Sequence, residues 1–369
     1  MTRFSLPPYP YDLLDDARAV AAERFGTVLD FSIGNPFDPP PAEVVAALST
    51  SDSERGYPPS IGSAQFRNTV SEWFGRQCDV VVDSKHVGAT IGLKEIVAGL
   101  PQWMHLRNPE RDTVLYPAVS YPSYAMGASL AGLRSVAVPV DENWELDVDA
   151  IDQADIDRAL LLWVNTPGNP AGGLDDLDAI AAWGRRNHVP VFSDECYIEF
   201  TWDGPPRTIL RTGSEGVVAI HSLSKRSNLA GVRAGFYAGD PDLVYWLQEI
   251  RKHAGFMTPG PSQAAAVVAL SDQTHVQLQR DRYERRLRAM IDIFAQLDID
   301  VPMPRGGFYL WVPAPENDSW GLTNRLAAEL GMIVAPGEFY GEAGVSHVRV
   351  ALVRPEEDIE TIRERLSAR

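Results

Sequence analysis

VVAIHSLSKRSNLAGVRAGFYAG, residues 217–239, decides how this chain is read. Its first five residues, Val217 to His221, form a short apolar run of the kind found in strands buried on both faces. Lys225 follows directly, between serines and ahead of small residues, and a second run, GVRAGFYAG (231–239), comes next. The chain holds only four lysines (Lys85, Lys94, Lys225, Lys252) against 29 arginines. A composition that prefers arginine so strongly has kept an amine at this strand end. A guanidinium stays protonated, whereas an amine can lose its proton and attack a carbonyl.

Working outward, strand-like and helix-like segments alternate. DTVLYP (112–117), RSVAVPV (134–140), ALLLWVN (159–165) and VPVFSDE (189–195) read as strands, with helices at 121–132 and 174–187 between them. Apolar strands alternating with helices indicate a mainly parallel sheet covered on both faces. Upstream, FSLPPYPY (4–11) reads as an extended arm and Asp12 to Phe25 as a helix. LDFSIGNPFDPP (29–40) reads as a strand breaking into a turn, and a helix follows GYPPSIG (56–62). From Pro241 to Leu297 the pattern is mostly helical. GGFYLWVP (306–313), MIVAPG (332–337) and HVRVALV (347–353) are then strands, interleaved with helices at 319–330 and 355–368. The expected division is an arm plus part of a small domain (1–40), a large domain (41–285) and a small α+β domain (286–369).

The composition, 45% apolar and 22% charged, is that of an ordinary globular chain. A net charge of −17 argues against a nucleic-acid or anionic-membrane surface, so an anionic ligand needs a local, preorganised site. Cys78 and Cys196 fit no metal spacing or disulfide framework and are expected as packed thiols; no metal is expected. The opening residues lack a basic region followed by an apolar core, and no apolar run nears the ~18 residues that span a bilayer. A cytoplasmic location is the expectation.

Ligands in open α/β sheets bind beyond the C-terminal strand ends. Asn165 and Asn169 in NTPGNPAGG, Asp194 and Tyr197 in SDECY, and the SLSK turn all fall at such ends. Taken singly, Asn and Asp after a strand are ordinary turn or cap residues. Together, an amide, an acid, a phenol and an amine suit a ring bearing several functional groups.

The set NPAG (169–172), SDE-x-Y (193–197) and SLSK…R (222–233) resembles the fold type I, class I/II aminotransferases, which use pyridoxal 5′-phosphate. The likeness runs from SIGNP (32–36) to HVRVAL (347–352), with Ala171 where threonine is usual. It implies an aspartate aminotransferase-like α/β fold, with a large cofactor-binding domain around a mainly parallel seven-stranded sheet and a smaller α+β domain. Lys225 would form the Schiff base and shuttle the proton. Asp194 would face the pyridine nitrogen, Tyr197 and Asn169 the ring's phenolic oxygen, and Tyr121 would stack on the ring. The phosphate would lie against Gly92, Leu93 and Lys94 at a helix start, with Ser222, Ser224 and Arg233. A turn at Gly88–Ala89–Thr90 is the alternative. Arg349 would fork onto the substrate α-carboxylate beside Gly34 and Asn169, and Tyr57 would reach the phosphate of a neighbouring subunit in a homodimer with shared active sites.

Longer stretches, HSLSKRSNLAGVRAGFYAGDPDLV, RKHAGFMTPGPSQAA, SDECYIEFTWDG and VAPGEFYG, resemble the succinyldiaminopimelate transaminases. That implies N-succinyl-LL-2,6-diaminopimelate and 2-oxoglutarate as exchange partners. Arg226, otherwise a solvated surface residue, and Thr258 are candidates for the distal groups. A transaminase for another amino acid, a lyase of the same fold and a non-catalytic sensing module remain alternatives.

Overall fold

The structure, a computed structural model, describes residues 9–53 and 55–368. Twelve strands are present among them: β1 (Leu29–Asp30), β2 (Val87–Ile91), β3 (Thr113–Pro117), β4 (Arg134–Val138), β5 (Ala159–Asn165), β6 (Val191–Asp194), β7 (Val217–Ser222), β8 (Ala234–Gly239), β9 (Tyr309–Pro313), β10 (Met332–Ile333), β11 (Ala335–Pro336) and β12 (His347–Ala351). Seven of them form one sheet in the order β2-β8-β7-β6-β5-β3-β4. The five strands β3 to β7 run parallel, and β8 pairs antiparallel with both β7 and β2.

Burial explains the arrangement. Every residue of β5, β6 and β7 is buried, because helices cover both faces. Phe66, Trp73 and Phe74 pack into the core on one face, and Leu100, Tyr124 and Trp163 into that on the other. β11, β12 and β9 make a three-stranded antiparallel sheet, and β1 pairs with β10. Leu29 and Phe31 share a core with Leu310 and Val350, so the residues just after the N-terminal helix pack with the C-terminal strands.

Several expectations need adjusting. MIVAPG is not one strand: β10 and β11 belong to different sheets, with Val334 between them. β2, absent from the expected strands, forms the sheet edge. The stretch from Pro10 to Leu14 is a 3-10 helix rather than extended, and Phe4 to Pro8 lie outside the described residues. The expected boundary at residue 285 falls within the helix Thr274–Ala295. Among the described residues no helix is long and apolar enough to cross a membrane, and no group of three metal-ligating side chains converges.

Candidate active site

The C-terminal ends of β5, β6 and β7 open onto one cavity of about 300 Å³. That lies at the lower end of the range for small-molecule sites. Asn165 ends β5 and organises the following turn. Its amide donates to the Asp194 carbonyl (2.9 Å), and its oxygen accepts the Asn169 N–H (2.9 Å). Asp194 ends β6 and is only 5% exposed. It accepts the Tyr124 hydroxyl (2.9 Å) and the Cys196 N–H (3.2 Å). Burial pushes its carboxyl above the usual range, against the hydrogen bonds from Cys196 and Tyr124.

Lys225 sits on a single helical turn, Leu223–Arg226, after β7. Ser222 caps that turn, its hydroxyl accepting the Ser224 N–H at 3.1 Å and donating to the Ser224 hydroxyl at 2.9 Å. The Lys225 amine donates to the Gly34 carbonyl. Burial, followed by the charges of Arg349 and Arg233, lowers it to about 8. A neutral, nucleophilic amine is therefore accessible near physiological pH.

Beside it is a cradle for an anion. The helix Lys94–Arg107 begins without a side-chain cap, so its first N–H groups have no cap to satisfy them. Leu93, Lys94, Ser222, Ser224 and Arg233 all line the cavity. Gly92 has φ +68°, and a Cβ there would collide with the Arg233 guanidinium. Glycine adopts that φ without strain and leaves room for the guanidinium. Gly88, Ala89 and Thr90 lie inside β2, paired with β8, and make no turn.

The opposite wall carries Arg349, on β12 and 2% exposed. It donates to Asn169 Oδ1 (2.8 Å), the Ser32 carbonyl (2.5 Å) and the Tyr11 hydroxyl (3.3 Å). The rings of Tyr309 and Tyr340 flank its guanidinium at 4.3 and 4.8 Å. Arg349 Nε is buried without a partner, and among the described residues no carboxylate pairs with this cation. Such a group is expensive to bury unless an anion arrives. Tyr197 and Tyr309 share a hydrogen bond of 2.9 Å, and a Cβ on Gly34 would collide with Tyr309.

The cavity thus gathers Gly34, Leu93, Lys94, Tyr121, Asn169, Asp194, Tyr197, Ser222, Ser224, Lys225, Arg233 and Arg349. Tyr57 is not among them; it is 95% exposed. The surface role expected of Arg226 is wrong. Arg226 is buried and paired with Glu199 at 2.8 Å, because the turn after β7 folds inward against the helix Gly260–Ser271. Thr258 is buried and lines no part of this cavity, so neither residue can meet a distal group there. Cys196, expected only as a packed thiol, lines the cavity, and burial pushes its thiol well above the ordinary range. The sequence also left unread Tyr124, Tyr309, Tyr340 and Tyr11. Tyr124 lies in the first turn of the helix Ser123–Leu130, and its ring meets that of Tyr121 edge-on at 6.1 Å.

The donor set suits pyridoxal 5′-phosphate. It offers a depressed amine for the aldehyde, an uncapped helix start with two serines and an arginine for the phosphate, and a buried acid lacking a cation for the ring nitrogen. The family model "Aminotransferase class I and II" matches residues 26–366. The 4-dedimethylamino-4-oxo-anhydrotetracycline transaminase OxyQ of Streptomyces rimosus is 38% identical, covering 98% of this chain and 99% of that protein. The LL-diaminopimelate aminotransferase of Aquifex aeolicus is 32% identical over 98% of this chain and 96% of its own. Among solved structures, a probable N-succinyldiaminopimelate aminotransferase from Thermus thermophilus superposes with a TM-score of 0.87, at 29% identity over 98% of this chain and all of the other. The chain belongs to the class I and II aminotransferases, with the aspartate aminotransferase-like fold, and its cofactor is pyridoxal 5′-phosphate.

Proposed function

We propose that this aminotransferase exchanges the amino group of N-succinyl-LL-2,6-diaminopimelate with 2-oxoglutarate in a ping-pong reaction. The observation that carries this reading is a pair of cations at separate places in one cavity. Arg349 lies deep in the wall, whereas Lys94 stands at the helix start between the rings of Tyr9 and Tyr121, at 5.9 and 6.0 Å. Among the described residues neither has a carboxylate partner, so the cavity suits a substrate with an α-carboxylate and a second acidic group. Free diaminopimelate would bring a distal ammonium towards Lys94. Succinylation replaces that charge by an amide and adds a carboxylate, which matches Lys94 better. The name of the Thermus relative lends support, whereas that of the Aquifex relative carries the unsuccinylated compound. OxyQ, with a polycyclic ketone in its name, shows that this framework serves other substrates.

In this reading Lys225, Asp194, Tyr197, Asn169, Tyr121 and the Ser222–Ser224–Arg233 cradle with the backbone N–H groups of Gly92, Leu93 and Lys94 hold the cofactor, and the Lys94 ammonium is left for the distal carboxylate. When bound, pyridoxal 5′-phosphate supplies an electron sink that acidifies the Cα–H of an attached amino acid. The chain's residues do the rest. Arg349, braced by Asn169 and the Ser32 carbonyl, holds the α-carboxylate and so fixes which Cα bond faces Lys225. The Lys225 amine, once free, takes the proton from Cα and returns it to the other side of the exchange. Asp194 keeps a positive ring nitrogen charged, as a buried carboxylate favours a cation beside it. Tyr57, exposed and outside the lining of its own cavity, would serve the second subunit of a homodimer.

A single-turnover screen of amino donors tests the substrate. The cofactor-loaded enzyme should lose its visible absorbance fastest with N-succinyl-LL-2,6-diaminopimelate. Faster conversion by free diaminopimelate, aspartate, an aromatic amino acid or acetylornithine would refute the assignment.

A further inference from the structure

A hydrogen-bonded chain behind the Lys225 turn has no part in the chemistry above. Ser227, 1% exposed, closes the turn with its N–H on the Leu223 carbonyl at 3.1 Å. Its hydroxyl lies 3.1 Å from Arg226 Nη1 and 2.9 Å from His275 Nε2, and His275 Nδ1 lies 2.6 Å from Asp272 Oδ2. A guanidinium can only donate and a carboxylate can only accept, and with the imidazole neutral, as its burial favours, every direction is set. Arg226 donates to Ser227, the Ser227 hydroxyl donates to Nε2, and Nδ1–H donates to Asp272. All three bonds point from cation to anion, an order in which each polarises the next. His275 is neutral in this arrangement, in keeping with the burial that holds its imidazole below the usual value.

The chain ends on a helix that reaches Lys225 from its other end as well. Asp272 caps the helix Thr274–Ala295, its oxygens accepting the N–H groups of Thr274 (2.9 Å) and His275 (3.2 Å). Arg286, on that helix, grips Asp38 with two bonds of 2.7 Å. Asp38 belongs to the same loop as Gly34, whose carbonyl takes the Lys225 amine. One helix is thereby tied to both the backbone turn and the amine of a single lysine. Serine, histidine and aspartate in this sequence also lay out an acyl-transfer triad. Ser227 is closed to solvent and accepts from Arg226, so no carbonyl could reach it.

We propose that His275 is a positioning residue for Lys225, acting through Ser227 and the Leu223–Arg226 turn, while the same helix steadies the amine through Asp38 and the Gly34 loop. The proposal rests on Lys225 being the reactive amine. It is tested with His275→Ala and His275→Gln, read by amide hydrogen exchange in the cofactor-free protein and by steady-state kinetics of the loaded enzyme. His275→Ala should speed exchange at residues 223–228 alone and leave the melting temperature within about 3 °C. It should lower kcat by about tenfold with KM within about twofold, as expected when a reacting group is slightly misplaced. Glutamine can accept from Ser227 and donate to Asp272, so His275→Gln should recover most of the protection and rate. Unchanged exchange at the turn, exchange that quickens across the whole chain, or an effect on KM alone would overturn the proposal. The exchange measurement is independent of turnover, so it still reports on the turn if the role of Lys225 itself fails.

Discussion

The buried wall of the cavity and the surface beyond it are built on opposite rules. On the wall, Asp194, Asn169, Tyr197 and Arg349 are nearly closed to solvent, and each is held by at least one defined hydrogen bond. Further out, Lys94 lies near the rings of Tyr9 and Tyr121, Ile33 is 46% exposed, and Tyr57 is 95% exposed. A buried polar group must be satisfied, so its neighbours leave little freedom to vary. Exposed groups carry no such constraint. Chemistry common to the family is thus preorganised in the wall, while the proposed choice of substrate and contact with another subunit would fall to residues that water can solvate.

The sharpest way to break this contrast is at Lys225. Lys225→Ala should lower turnover by roughly a thousandfold or more, as removal of a nucleophile and proton carrier does. In the unaltered cofactor-free protein, the amine is neutral above its midpoint of about 8. The rate of covalent cofactor capture should therefore rise with pH and level off above that value. A flat profile from pH 6 to 10, followed by absorbance, would show that burial does not depress this amine.

The exposed side gives smaller effects. Tyr57→Phe with Tyr57→Ala probes whether the phenol serves a second subunit: Tyr57→Ala should weaken cofactor retention by about tenfold, the worth of one charge-assisted hydrogen bond. Mixing Tyr57→Ala with Lys225→Ala should then restore activity in hybrid dimers that hold one intact site. Well-folded hybrids with no recovery would show that each chain completes its own site. Smallest is Lys94→Ala, which should raise KM for dicarboxylic donors about fivefold, the worth of one partly exposed ion pair. Monocarboxylic donors should change little. Equal losses for both classes would assign Lys94 to the phosphate rather than to the substrate.

Legibility followed the same divide between local and distant causes. Asn169, Asp194 and Lys225 were readable because each lies at the end of a strand whose apolar run announces it, whereas Arg233, inside GVRAGFYAG, was reached only through the family resemblance. Arg349 was readable because a charge inside HVRVALV is costly without a purpose. Arg226 was misread, since nothing adjacent in sequence hints at Glu199, 27 positions earlier, folding against it. β2 was missed because VGATI carries a glycine and a threonine and little bulk. Its place in the sheet comes from antiparallel pairing with β8, nearly 150 positions later in the chain, and distant pairing of that kind leaves no local period. Likewise, Val334 divides MIVAPG between two sheets, although the stretch reads as one apolar run.

The sequence by itself determined the alternation that builds a mainly parallel sheet, and it named the residues at the strand ends, because periodicity and turn chemistry act over a few positions. Only the tertiary structure decided that Tyr124 holds Asp194, that Arg349 is caged between Tyr309 and Tyr340, and that one helix grips Lys225 from both ends. These are contacts between segments remote in the chain. They depend on which faces pack together and on what burial forces each polar group to find.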